Sequence, residues 1–84
     1  MAQTHQVSIE NMQFNPGSIV VKAGDTVQWT NNMSVLHSVT ADDYSFDSGR
    51  LSEGQTFSRV FDTAGSVEYH CEVHVQITGT VTVS

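Results

Sequence analysis

Along most of this 84-residue chain, apolar and polar residues alternate, and that period of two limits its possible folds more than any other feature. Val7 and Ile9 alternate with Ser8 and Glu10, and Val27 and Trp29 with Gln28 and Thr30. Val67, Tyr69 and Cys71 alternate with Glu68, His70 and Glu72, while Val81 and Val83 alternate with Thr80 and Thr82. A strand sends successive side chains to opposite faces, so these runs describe antiparallel strands with one dry face and one wet face. No window carries a helical stripe. Turn-forming clusters separate the runs: Asn15-Pro16-Gly17, Ala23-Gly24-Asp25, Asp47-Ser48-Gly49, Ser52-Glu53-Gly54 and Thr63-Ala64-Gly65. The pattern predicts strands over 4–10, 18–22, 26–31, 36–41, 56–61, 66–71 and 78–83. Seven to eight short strands with such punctuation predict an all-β fold, a β-sandwich with Greek-key connections.

Chain length allows a single domain over 1–84. Area scaling gives about 4,900 Å² of folded surface, which supports one thin core and excludes a deep substrate cleft. The one cysteine rules out an intramolecular disulfide, so any metal site must combine different ligand types. Nine acidic residues face only Lys22, Arg50 and Arg59, for a formal net charge of −6. Three cations cannot track a phosphate backbone, which excludes nucleic-acid binding and disfavours anionic lipid surfaces. A basic or neutral protein partner suits this charge better. No apolar run is long enough to span a membrane, so no membrane insertion is expected. Met1 to His5 has neither the basic start nor the apolar run of a secretory signal, so the chain is either cytosolic or has had a targeting segment removed.

The stretch from Asp42 to Glu53 is the least regular. Asp42-Asp43-Tyr44 reads as an exposed, solvated turn, and Phe46 as a residue that folds back onto the sandwich. Met12 and Trp29 read as core, His5 as solvated, and Met33 as part of an apolar rim.

The segment Tyr69-His70-Cys71-Glu72-Val73-His74 carries the chemistry. Cys71 shares the inward face of Val67 and Tyr69, whereas His70 points outward and is not expected to be a ligand. His74 follows where the strand has broken and can turn back toward the Cys71 sulfur. His37 lies in the apolar run Val35-Leu36-His37-Ser38-Val39. Alone, each would read as a satisfied core histidine or a small buried hydrophobe; together they read as a metal site. Three donors fall short of the four of a structural zinc site, and one cysteine excludes an iron–sulfur cluster. One thiolate and two imidazoles with a weak axial ligand describe a copper electron-transfer centre. A Cys–His hydrolase is a weaker reading, because no third orienting group or oxyanion loop accompanies the pair.

Beyond this segment, the chain resembles the cupredoxins, small copper proteins of the plastocyanin, amicyanin and pseudoazurin type. The resemblance runs through Met12-Gln13-Phe14-Asn15-Pro16, Val21-Lys22-Ala23-Gly24-Asp25-Thr26-Val27-Gln28-Trp29, Leu36-His37-Ser38-Val39-Thr40, Phe46-Asp47-Ser48-Gly49 and Gly54-Gln55-Thr56-Phe57. It closes with Ala64-Gly65, the segment from Tyr69 to His74, and Gly79-Thr80-Val81-Thr82-Val83. It implies a single copper ion held by His37, Cys71 and His74, with the Ser38 N–H bonded to the Cys71 sulfur. It also implies one-electron transfer rather than enzymatic turnover, by a monomer in a periplasmic or other extracytoplasmic compartment. Redox partners would dock transiently at an apolar rim near His74.

One position departs from the family. The small relatives read Cys-x-x-His-x-x-Met, and here the last place is Ile77, which has no donor atom. Gln76, one residue out of register, is a weak axial candidate, and the Leu36 carbonyl is another. Valines at 73 and 75 stand where relatives often have prolines, which predicts that Ile77 can turn aside and leave the axial position open. Two alternatives follow: a redox enzyme or sensor that binds nitric oxide or nitrite at the open copper, and a copper storage or delivery protein.

Overall fold

The computed structural model describes residues 2–84, which form eight strands in two four-stranded sheets. The strands are β1 (Thr4–Glu10), β2 (Gln13–Asn15), β3 (Ser18–Val21), β4 (Asp25–Asn31), β5 (Thr40–Ala41), β6 (Thr56–Phe61), β7 (Gly65–His70) and β8 (Thr78–Val83). One sheet has the order β2-β1-β4-β6 and the other β3-β8-β7-β5. The accessible surface is 4684 Å², close to the value expected from chain length. Among the described residues no helix is long and apolar enough to cross a membrane.

Alternation places the core where the pattern requires it. Val7 and Ile9 of β1, Val27 and Trp29 of β4, Tyr69 of β7, and Val81 and Val83 of β8 are all buried between the sheets. Trp29 sits at the centre, with ring centroids of Tyr69 at 5.3 Å, Phe57 at 5.8 Å, and Phe46 and Phe61 at 6.2 Å. Phe46 therefore folds back onto the sandwich, as its sequence context predicts. Tyr69 also packs edge-on against Phe14 at 4.7 Å. Gly79 faces this ring, and a Cβ there would lie 2.5 Å from the Tyr69 Oη.

Several expectations are corrected. The sheets are mixed, with β1 parallel to β4 and β3 parallel to β8. Alternation reports one dry face but not strand direction; after β1 and β2 the chain crosses to the other sheet as β3 and returns beside β1 as β4. The strand expected over 36–41 shrinks to Thr40–Ala41. His37 and Val39 take their backbone partners from Leu51 and Ser48 instead of from β7. His37 to Ala41 are buried there without joining a long ladder. The short strand β2 is too brief to show an alternation of its own. Two left-handed residues, Asn11 (φ 54°) and Met12 (φ 57°), make the tight turn into it. That turn leaves Met12 exposed rather than in the core.

His5 is not simply solvated. The parallel register of β1 and β4 brings it to Asp25, with Nε2 2.9 Å from Oδ2. Asp25 also accepts the Gln3 N–H at 2.9 Å and the Lys22 N–H at 3.1 Å. Hydrogen bonding to His5, reinforced by the two backbone donors, lowers the Asp25 pKa to about 2.

Candidate metal centre

Cys71 follows β7 directly and keeps its inward facing, with 0% of its surface exposed. Its N–H donates to the Ile77 carbonyl at 3.0 Å, and the Ile77 N–H donates to the His74 carbonyl at 2.9 Å. Those two bonds close 71–77 into a tight loop and carry His74 back over the sulfur. His37 reaches the same place from the other side of the sandwich end. Its backbone N–H and C=O both pair with Leu51, at 3.2 and 2.7 Å. One donor atom from each of His37, Cys71 and His74 lies within 4.8 Å of the others. The His37 Nδ1 is 3.5 Å from the Cys71 Sγ, and the two imidazole centroids are 5.1 Å apart.

Ser38 ties the two ligand-bearing segments together. Its N–H donates to the Cys71 Sγ at 3.3 Å, as the resemblance implies. Its Oγ accepts the Glu72 N–H at 2.8 Å. Hydrogen bonds of this kind orient a ligand and tune its electron density.

The donor set fits a copper ion on two grounds. Metal bonds of about 2.0–2.3 Å to imidazole and thiolate separate trigonal donors by about 3.5–4 Å, so this cluster needs little contraction. The His74 Nδ1 is also buried without any hydrogen-bond partner. Buried polar atoms are nearly always satisfied, and an inward-aimed imidazole nitrogen beside a thiol is satisfied by a cation. Burial, helped by the neighbouring His74, pushes the His37 pKa down. That favours the neutral imidazole, the form that binds a metal. Trigonal N₂S donors of this kind are those of a copper electron-transfer site.

Ile77 and Gln76 part company. Ile77 is 3% exposed and belongs to the core. Two backbone hydrogen bonds fix its main chain. Gln76 is exposed on the outside of the loop.

His70 faces away from the donors, as its place in the alternation predicts. Asp42 Oδ1 holds its Nδ1 at 2.6 Å and Glu72 Oε2 holds its Nε2 at 3.0 Å. Hydrogen bonding to Asp42 first, and to Glu72 after, raises its pKa. The turn at Asp42-Asp43 is thus more than a solvated loop: Asp42 pairs with this histidine and Asp43 accepts the Ser45 N–H at 2.9 Å.

Asn31 is a structural support that the sequence reading does not single out. It is fully buried at the end of β4, and its Nδ2 donates to the carbonyls of Val35 (2.9 Å) and Leu51 (2.8 Å). Its Oδ1 accepts the Met33 N–H at 2.9 Å. One amide thus clamps the loop that leads into His37 against the segment that backs it. A signal for it does exist: Asn31 continues the inward series Val27, Trp29, and a polar residue at such a position must find partners.

Around the two histidines, Val35, Leu36, Val73 and Val75 are exposed, Val75 at 65%. Met33 is half-buried beside them in sequence, with its sulfur 3.4 Å from the Met12 N.

Comparison with known proteins agrees with this geometry. Residues 1–84 match the family of copper binding proteins described as the plastocyanin/azurin family. The chain is 37% identical over 83 residues to a plastocyanin of Scenedesmus fuscus, across 83% of this chain and 85% of that one. It is 30% identical over 82 residues to an amicyanin of Paracoccus versutus, across 92% of this chain and 62% of that one. A purple cupredoxin from Nitrosopumilus maritimus superposes with a TM-score of 0.87 at 31% identity, covering 95% of this chain and 99% of that one. The chain spans 50% of a chloroplastic plastocyanin of Tetradesmus obliquus, so longer relatives extend well beyond it. Matched by the family over residues 1–84 and by these relatives in sequence and fold, the chain belongs to the plastocyanin/azurin family of copper binding proteins.

Proposed function

We propose that the protein carries single electrons through one copper ion held by His37, Cys71 and His74, in a centre with no strong axial ligand. The observation that carries this reading is the buried donor triad, with a partnerless His74 Nδ1, beneath an exposed apolar rim. Copper bound there would supply a one-electron Cu(II)/Cu(I) couple. The chain's part is to hold its donors still. Ser38 orients the thiolate, Asn31 fixes the approach to His37, and the two bonds of the 71–77 loop fix Ile77 and the His74 carbonyl. Burial of Ile77 supports a dry, trigonal centre that favours Cu(I) and a raised potential. Electrons pass through the His74 edge, where Val35, Leu36, Val73 and Val75 offer a small apolar face suited to brief docking. The redox partner is neutral or basic, and the compartment is extracytoplasmic.

Electron self-exchange of the copper-loaded protein, measured with and without azide, tests this reading. Rapid exchange with a spectrum that azide leaves unchanged is the expected result. A spectrum shifted by azide or nitrite would instead place the function in small-molecule chemistry at an open copper.

A further inference from the structure

We propose that Asp47, outside the donor set, is a positioning residue for Cys71, acting through a chain of two buried hydroxyls. The inference rests on the copper reading above and extends it. Thr40 Oγ1 donates to the Asp47 Oδ1 at 3.0 Å, and Thr40 Oγ1 and Ser38 Oγ are 3.0 Å apart. Ser38 Oγ accepts the Glu72 N–H at 2.8 Å. Each hydroxyl has one proton, and that of Thr40 is committed to a carboxylate that can only accept. The Ser38 proton must therefore go to Thr40. The whole chain has a single direction: Glu72 N–H to Ser38, Ser38 to Thr40, Thr40 to Asp47. Ser38 and Thr40 are 2% and 0% exposed, so neither hydroxyl has water as a substitute partner.

Asp47 lies at the solvent end of this chain and is held in its turn by the Gly49 N–H, 2.9 Å from Oδ1. At the other end, Glu72 follows Cys71 directly, while the Ser38 N–H grips the Cys71 sulfur. A carboxylate at the surface thus sets the rotamer of Ser38, and Ser38 sets where Cys71 sits relative to His37. A directed chain in a low-dielectric interior strengthens each of its bonds, and losing any member strands the others.

Amide hydrogen exchange of the copper-free protein, followed residue by residue, tests this without relying on the metal. Thr40→Val and Asp47→Ala should each speed exchange of the Glu72 N–H by roughly three- to tenfold, the loss expected for one hydrogen bond of ordinary strength. The core amides of Val27 and Val81 should keep their parent rates. Asp47→Asn retains an acceptor for Thr40 and should restore the parent rate at Glu72. In the copper-loaded protein, the first two variants should shift the visible thiolate band and Asp47→Asn should not. Unchanged Glu72 exchange in Thr40→Val, acceleration shared equally by the core amides, or Asp47→Asn behaving as Asp47→Ala would each overturn the proposal. Because the exchange is measured without copper, any of these results would leave the ligand assignment standing.

Discussion

Ile77 has no donor atom and is 3% exposed, at the position where the resemblance places methionine, and in the proposed dry centre its side chain keeps water from that side of the site. Ile77→Met would offer a thioether there without changing the volume much. Adding a donor to a dry trigonal centre stabilises Cu(II), so the reduction potential should fall. The expected size is about 59 mV, one decade in the preference between oxidation states for a one-electron couple. A rise on voltammetry would mean that the native centre holds an axial oxygen ligand and that Ile77 does not seal it. His70→Ala is the matching control. Both ring nitrogens of His70 are taken by Asp42 and Glu72, so its loss should leave the copper spectrum nearly unchanged. Gly79→Ala tests packing instead, because the new Cβ would press on the ring of Tyr69. Tyr69 has Phe14 and Trp29 at its other faces and cannot retreat. Urea unfolding should show a loss of about 1–3 kcal/mol, the usual cost of overpacking a well-filled core; a loss within error would mean that the ring has room to move.

At the level of elements, the start of β4 is tied to β1 through one carboxylate. Asp25 gathers His5 and the backbone of Gln3 and Lys22, and its folded pKa lies near 2 against an ordinary 3.8. A folded pKa below the unfolded one means stability that is fully present above about pH 4 and lost as the pH falls toward 2. Chemical denaturation of the copper-free protein should therefore weaken across that window, and Asp25→Asn should weaken it at neutral pH and flatten the acid limb. An acid limb as steep in Asp25→Asn as in the parent would contradict this. These same elements mark what can be read in advance. Long alternating runs locate β1, β4, β7 and β8 within a residue or so, because burial of one face writes itself into every second position. The approach to His37 reads as a strand and is not one, since in Val35-Leu36-His37-Ser38-Val39 only the last three residues are buried, and His37 and Val39 draw their partners from Leu51 and Ser48. Pairs such as His5 with Asp25 depend on a parallel register 20 residues apart, which no local pattern encodes. The three donors are legible as residue types, and Ser38 with them. Asn31 is marked only as a polar residue in an inward series, and Thr40 and Asp47 not at all, because their roles exist only once the loops meet.

Over the whole molecule, the donor triad and the proposed docking face fall at one end of the sandwich. The donors sit under the loops, and Val35, Leu36, Val73 and Val75 cover that end with hydrocarbon, while the chain as a whole carries −6. On the proposed reading, two copies approach through this apolar face for self-exchange. Val75→Asp would set like charges against each other in that encounter. Self-exchange should slow by roughly tenfold at low salt and recover partly as salt is added, with an unchanged potential. Slowing that salt does not relieve would place the encounter elsewhere. All of these expectations depend on Cys71 supplying the thiolate of a copper centre. The most direct test adds one equivalent of Cu(II) to the protein and to Cys71→Ser, and records visible and electron paramagnetic resonance spectra of both. The account predicts an intense thiolate-to-copper band in the parent and none in the variant, with far-ultraviolet circular dichroism showing both folded as β-sandwiches. An intense band that survives in Cys71→Ser would contradict it.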